Sequence, residues 1–400
     1  MKLQSRSGIA LLGVLSMIAV VFCSGCGGDD GGPGPANAAA RKATGSMSWY
    51  DNVSAGQNSG LLSDEDGNDR PFYVSFSKHY DAQATHKLVV IFPGTGTSGQ
   101  EMQDWLGNGW RWDPNANAID QRTGIEYYMD NTVFVYPDPL IRTFPGYFED
   151  APLNRNVLKT RGWLLGANGT QDRPVDGGNV EAAGSADLDF VKVLIPGLQA
   201  KYGVVDKNVF IAGHSWGGDM ASVVACYLGK DIGGAAPIAA NKPYWFYDET
   251  TVTGANLSGT PNACSTGNTP VWVWFGNDDE HFAGVEEQEA GSAANAVGYY
   301  GRMQYATWKS IRYGDLTASA NSNCTDVPLT INSVNPYDTS SGTAQAQTSI
   351  VASGCAGNST VRLTSYDTDY SGSGDIPGHY PPDYFGREVA AWFNSLAVNN

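Results

Sequence analysis

The sequence is most constrained between Asn208 and Leu228. There an uncharged apolar run, Val209 to Ala212, passes through Gly213-His214-Ser215-Trp216-Gly217 into a segment with apolar residues at helical spacing. A short continuous apolar run suits a strand buried on both faces, and the 3.6-residue period after it suits a helix packed on the same sheet. The Gly-x-Ser-x-Gly pattern between them predicts a strained strand-to-helix turn that lifts a serine hydroxyl clear of the sheet, with glycines where a β-carbon would collide. Ser215 is therefore the candidate nucleophile. With 49 glycines among 400 residues the pentapeptide alone carries little weight. The reading depends on an oxyanion loop upstream and on an acid and a histidine downstream, in that order.

Lys87 to Phe92 reads as a buried central strand. Pro93 to Gly99 leaves its carboxyl end as a glycine-rich loop able to aim a backbone N–H at developing negative charge. Thr95 is the preferred donor, with Gly96 next, and Trp216, directly after the nucleophile, supplies the second oxyanion N–H. Thr132 to Tyr136, Gly234 to Ile238, Val271 to Phe275 and Thr360 to Tyr366 read as further strands, and Phe72 to Ser77 as a strand near the edge. Ala182 to Tyr202, Gln288 to Tyr313 and Asp383 to Leu396 read as helices. The alternation predicts an α/β class with a mostly parallel central sheet and helices on both faces. An irregular stretch from Pro137 to Gly178 is long enough to roof a pocket. Asn241 to Tyr247 places four successive aromatics on a loop, of which Tyr244 and Trp245 are the candidate substrate contacts.

The acid belongs at the carboxyl end of a strand after the nucleophile, which selects Asp279 in Gly276-Asn277-Asp278-Asp279. The histidine follows by elimination among five. His79 and His86 precede the nucleophile, His214 adjoins it on a turn expected to send its side chain elsewhere, and His281 lies two residues past the acid. His379, after the last strand and before the last helix, is the candidate general base. Histidine titrates near neutrality, so His379 can take the Ser215 proton and return it, while Asp279 holds the imidazole in the required tautomer.

The amino-terminal region has a separate logic. Lys2 and Arg6 precede an apolar run, Gly8 to Phe22, too short for a membrane span, and Cys23-Ser24-Gly25-Cys26 follows, which predicts a signal peptide over residues 1–25 with lipidation at Cys26. Residues 26–69 read as a flexible tether and amino-terminal segment, and 70–396 as the catalytic domain. The chain is thus expected to be exported, held to a bacterial membrane or cell surface only through its lipid, or otherwise extracellular. Its formal charge of −17 becomes −19 once the two cations of residues 1–25 are removed, which argues against nucleic acid as a partner. An ester substrate, small or polymeric, meets no such objection. Of the cysteines beyond Cys26, the expected disulfides pair Cys226 with Cys264 and Cys324 with Cys355. Their spacings are not those of a zinc site, and the acidic stretches Asp64 to Asp69 and Asp367 to Asp375 lack the closing acid of a calcium loop, so no metal or cofactor is expected.

From about Arg70 to Ser395 the chain resembles the exported α/β-hydrolases related to polyhydroxybutyrate depolymerases and feruloyl or acetylxylan esterases. The likeness rests on the Lys87 to Gly94 strand and loop, Asp187-Leu188-Asp189-Phe190, the Gly-His-Ser-Trp-Gly-Gly elbow, Gly276 to Asp279, and Gly378-His379-Tyr380-Pro381. It implies the α/β-hydrolase fold and assigns the triad to Ser215, Asp279 and His379. Pro93 stands where such enzymes usually carry histidine, and Tyr380-Pro381-Pro382 replaces their usual x-Trp-Pro. The expected activity is carboxylic ester hydrolysis through an acyl-serine. A peptidase or amidase on the same fold and a non-catalytic surface binding protein are the competing readings.

Overall fold

The computed structural model describes residues 48–52, 57–63, 69–109, 124–145, 157–165, 186–241, 243, 264, 269–313, 324–334, 346–354, 360–367 and 376–398. In chain order the strands are β1 Ser48–Asn52, β2 Gln57–Ser63, β3 Asp69–Phe76, β4 Lys87–Phe92, β5 Thr132–Pro137, β6 Ile141–Pro145, β7 Val157–Arg161, β8 Val209–His214, β9 Gly234–Ile238, β10 Val271–Gly276, β11 Thr325–Pro328, β12 Gln347–Ser353 and β13 Val361–Tyr366. The α-helices are α1 Gly99–Met102, α2 Ala186–Tyr202, α3 Trp216–Tyr227, α4 Ala283–Ala290, α5 Ala293–Ala296, α6 Tyr299–Tyr313 and α7 Phe385–Leu396. Helix α1 runs on as a π-helix, Gln103–Gly107, and a 3-10 turn covers Ile125–Tyr128.

Among the described residues one sheet of eleven strands has the order β1-β2-β3-β5-β4-β8-β9-β10-β13-β12-β11, and β6 pairs with β7 apart from it. From β5 to β13 every neighbouring pair is parallel. The flanks are antiparallel on both sides. This is the α/β-hydrolase fold, a mostly parallel centre with helices on both faces.

Burial on both faces explains the apolar runs Leu88 to Phe92 in β4, Val209 to Ala212 in β8 and Val271 to Phe275 in β10, and the side-chain period of two divides each run between two cores. Leu88, Val90 and Phe92 of β4 point into one core with Leu194, Met220 and Trp308, whereas Val89 and Ile91 point into the other with Val389, Trp392 and Phe393. Strand β8 divides the same way, Val209 and Ile211 against Phe210 and Ala212, and so does β10, Val271 and Val273 against Trp272 and Trp274. Helices α2 and α3 cover the first face and α7 the second.

The start of α2 is fixed by charge as well as packing. Asp187, fully buried, meets Arg70 at 2.7 Å, Arg142 at 2.8 and 3.0 Å, and the Leu164 N–H at 2.6 Å. Burial raises the pKa of this carboxyl, but Arg70 and Arg142 outweigh burial and hold it below its ordinary value. The ion cluster ties β3, β6 and α2 together beneath the segment that precedes the site.

Three features depart from expectation, and a fourth, the Cys226–Cys264 disulfide, agrees with it. Strands β1 and β2 extend the sheet upstream of residue 70, inside the stretch 26–69 read as flexible tether and amino-terminal segment, and β3 is paired on both sides. The region 288–313 is divided among α4, α5 and α6. The segment between Cys324 and Cys355, in which the sequence predicts no strand, supplies β11 and β12, which continue the sheet beyond β13. Cys226 and Cys264 form a disulfide, and Cys324 is disulfide-bonded too. Cys26, Tyr244, Trp245 and Cys355 lie outside the described residues, as does the whole of 1–25.

Candidate active site

Strand β8 delivers Ser215 with φ 56° and ψ −126°, a conformation that L-residues avoid and that costs roughly 1–3 kcal/mol. Neighbours hold the strained turn in place. The Ser215 N–H donates to Ile238 O at the end of β9 (2.9 Å), and its carbonyl accepts from Gly218 N–H (2.7 Å) and Asp219 N–H (3.1 Å) as α3 begins. A β-carbon on Gly217 would collide with the carbonyl of Phe92, so α3 approaches β4 closely only because that position is glycine. Trp216 is the first residue of α3, and its N–H belongs to the positive end of that helix.

The loop after β4 lies against the elbow. A β-carbon on Gly94 would stand 3.0 Å from His214 O and 3.2 Å from the Ser215 β-carbon. Trp163 Nε1 donates to Pro93 O at 2.8 Å, which anchors the start of the loop. Gly96 gives its N–H to Arg161 O (3.0 Å) and Thr97 gives its N–H to Gly94 O (3.2 Å). Gly96, the alternative oxyanion donor, is therefore committed elsewhere, and Thr95 stays the loop's candidate.

The acid and the base meet through their backbones as well as their side chains. Gly378, at φ +73°, would bring a β-carbon to 2.5 Å from Asp278 O, and a β-carbon on Gly276 would strike the Gly378 carbonyl. With both glycines in place, Glu280 N–H reaches Pro377 O at 3.0 Å. His379 Nδ1 then lies 2.9 Å from Asp279 Oδ2 and 3.1 Å from Oδ1, with the carboxylate fully buried. Asp279 Oδ1 also accepts the His281 N–H at 3.0 Å. A carboxylate can only accept, so neutral His379 carries its proton on Nδ1 and its lone pair on Nε2.

Ser215 and His379 line one cavity of about 500 Å³, with Gly94, Thr95, Glu101, Trp105, His281 and Tyr380 among its walls. No hydrogen bond joins the two side chains in this structure; in unliganded hydrolases that contact commonly tightens only with substrate present. The His379 ring is enclosed by aromatic neighbours, with His214 and His281 each at 4.7 Å between centroids and Phe282 at 5.6 Å. Among the described residues no group of three or more histidine, cysteine or acidic side chains is placed to hold a metal ion.

Two features of the site are not legible in the sequence. His214 does not turn away: its Nε2 donates to the His379 carbonyl at 2.8 Å, so this histidine braces the base loop. His281, set aside as a base on sequence position, contributes a cavity wall. A third feature has a local signal. Ser98-Gly99-Gln100-Glu101 spells a capping box, and it starts the helical segment that brings Glu101 and Trp105 to the cavity.

Two carboxyls, buried Glu286 and partly buried Glu126, are displaced from their usual range. Glu286 on α4 is raised to about 8 by burial, which outweighs the hydrogen bond it accepts from Tyr300 N–H at 2.7 Å. Glu126 is raised to about 7 by burial, against hydrogen bonds donated by Ser75 and Tyr136.

Neither a protein-family profile nor a curated protein matches the sequence. Solved structures do overlap it. An acetyl xylan esterase from Aspergillus awamori has TM-score 0.42 and 14% identity, covering 82% of this chain and 94% of its own. A thermostable esterase has TM-score 0.38 and 13% identity, covering 85% of this chain and 60% of its own. A variant of Arabidopsis thaliana SOBER1 has TM-score 0.38 and 15% identity, covering 78% and 99%. Overlaps this loose say nothing of substrate.

Proposed function

We propose that this chain is an exported serine carboxylesterase acting on carboxylic esters, either a polyester such as polyhydroxybutyrate or the feruloyl and acetyl esters of plant polysaccharide. The observation that carries the reading is the bond from His379 Nδ1 to buried Asp279, which leaves Nε2 as the basic nitrogen of an imidazole sharing a cavity with a serine on a strained turn.

The chemistry comes from those groups. Ser215 Oγ attacks the ester carbonyl carbon while His379 Nε2 takes its proton, and the carbonyl oxygen becomes an oxyanion. The N–H groups of Trp216 and Thr95 receive that charge; losing one such donor typically costs about a hundredfold or more in rate. Asp279 stabilises the imidazolium without taking its proton. Collapse expels the alcohol, which leaves with the proton from Nε2, and an acyl-serine remains. Water repeats the sequence, giving up a proton to Nε2, and releases the carboxylic acid with Ser215 restored. No cofactor enters the balance.

Hydrolysis of p-nitrophenyl esters by the wild type and by Ser215→Ala tests the assignment; equal rates would remove Ser215 from the mechanism. A panel of methyl ferulate, acetylated xylan, short-chain nitrophenyl esters and amorphous polyhydroxybutyrate, ranked by kcat/KM, then separates the substrate classes. Export with a lipid on Cys26 is part of the same proposal. A radiolabelled fatty acid incorporated by the full chain and lost in Cys26→Ala supports it, and label retained in the variant opposes it.

A further inference from the structure

Ser215 and His379 share one cavity, yet no hydrogen bond joins their side chains. What sets their separation must then lie in the backbone that carries them. On the acid side, the base loop is tied by the Glu280 N–H to Pro377 O at 3.0 Å and by Gly378 packed against Asp278. On the nucleophile side, His214 Nε2 donates to the His379 carbonyl at 2.8 Å. His214 is peptide-bonded to Ser215. One side chain thus links the residue before the nucleophile to the main chain of the base itself.

The anchor at the other end of that link is rigid. His214 closes β8, which lies between β4 and β9 in the parallel centre of the sheet, and it is paired there with Ile238. Its ring is buried, stacked on Tyr380 at 5.2 Å with the planes 15° apart, and met edge-on by Trp105 at 4.6 Å. A carbonyl oxygen can only accept, so Nε2 carries a proton whether or not the ring is charged, and the link survives titration of the imidazole.

We infer that His214 is a positioning residue, whose Nε2–H holds the main chain of His379 where its imidazole can take the Ser215 proton. The inference rests on the esterase reading for the reaction served. A misplacement of about 1 Å can cost about a hundredfold in rate, so loss of this donor is expected to lower kcat by roughly ten- to a hundredfold. Substrate is bound by other groups, and KM should stay within about twofold.

The test compares two substitutions in the full chain. His214→Phe keeps a ring between Trp105 and Tyr380 and removes the donor, whereas His214→Gln gives up the ring and keeps an amide N–H at about the reach of Nε2. If the side chain mattered for packing, phenylalanine would be the milder change; if it matters as a donor, glutamine is. Two readouts are taken: kcat and KM on p-nitrophenyl esters, and hydrogen exchange by mass spectrometry in the peptide 376–385, where His379 N–H donates to Ile376 O and Phe385 N–H to Pro382 O. The expected result is kcat lost in His214→Phe and mostly restored in His214→Gln, with exchange faster by about fivefold or more in the first and close to wild type in the second. A His214→Phe enzyme as fast as His214→Gln, a loss carried by KM, or exchange unchanged in His214→Phe would overturn the inference. Absent turnover by the wild type would remove the esterase reading instead. Exchange then decides alone: faster in His214→Phe and restored in His214→Gln, it leaves His214 as the anchor of the base loop, and any other pattern overturns that too.

Discussion

His379 reaches Asp279 across one hundred residues of sequence, with Nδ1 at 2.9 Å from Oδ2. If that bond sets the tautomer, asparagine at 279 should spoil it while sparing the fold, because its amide can donate to the nitrogen that must itself donate. Asp279→Asn is expected to lower kcat by about ten-thousandfold with little change in KM. Ester hydrolysis under saturating substrate measures it, and a loss below tenfold would mean the carboxylate has no such part.

Gly217 is a packing requirement of the elbow. Its missing side chain lets α3 touch the carbonyl of Phe92. Gly217→Ala must push helix from strand, at a cost of about 3 kcal/mol or more. The expected result is a Tm lowered by several degrees together with lost activity. Thermal unfolding at wild-type Tm would show that the contact can relax.

Asp187 sits, fully buried, between two guanidinium groups. Asp187→Ala leaves Arg70 and Arg142 buried without their shared anion, and about 3–5 kcal/mol of stability should go with it. The pH sense follows from the lowered pKa of this carboxyl. Its contribution is complete above the unfolded value of about 3.9 and is lost as pH falls through the lower folded value. Denaturant midpoints measured down to pH 3 should therefore fall more steeply for the wild type than for Asp187→Ala.

Glu286 gives the opposite slope. Its folded value of about 8 exceeds the ordinary 4.5. Its contribution is present below pH 4.5 and declines as pH rises toward about 8, because the unfolded chain sheds that proton first. Glu286→Gln cannot ionise and can still accept the Tyr300 N–H, so it should flatten the fall in Tm between pH 5 and 8. An identical slope in the variant would contradict the shift.

The parts of this molecule that the sequence reveals are those whose signal is local. Strands β4, β8 and β10 are buried on both faces, and an unbroken run such as Lys87 to Phe92 has no other stable use. The elbow is legible for the same reason, since a strained turn needs glycines at fixed offsets. What escapes the eye depends on distant partners. Strands β1 and β2 are short and largely polar, and they hold their places at the margin of the sheet through backbone pairing, β1 with β2 and β2 with β3. The π-helix that carries Trp105 to the cavity leaves no periodic mark in five residues. His214 and His281 look dispensable in sequence because only the fold shows one bound to the His379 carbonyl and the other lying near its ring.

The central claim is that Ser215 is made reactive by His379 at neutral pH, and the most direct measurement is active-site phosphonylation followed by peptide mass spectrometry. Treatment of the folded chain with a fluorophosphonate should give one adduct, on the peptide containing Ser215, with loss of esterase activity in step, and His379→Ala should suppress labelling. An unlabelled Ser215, or labelling as fast without the imidazole, would contradict the account.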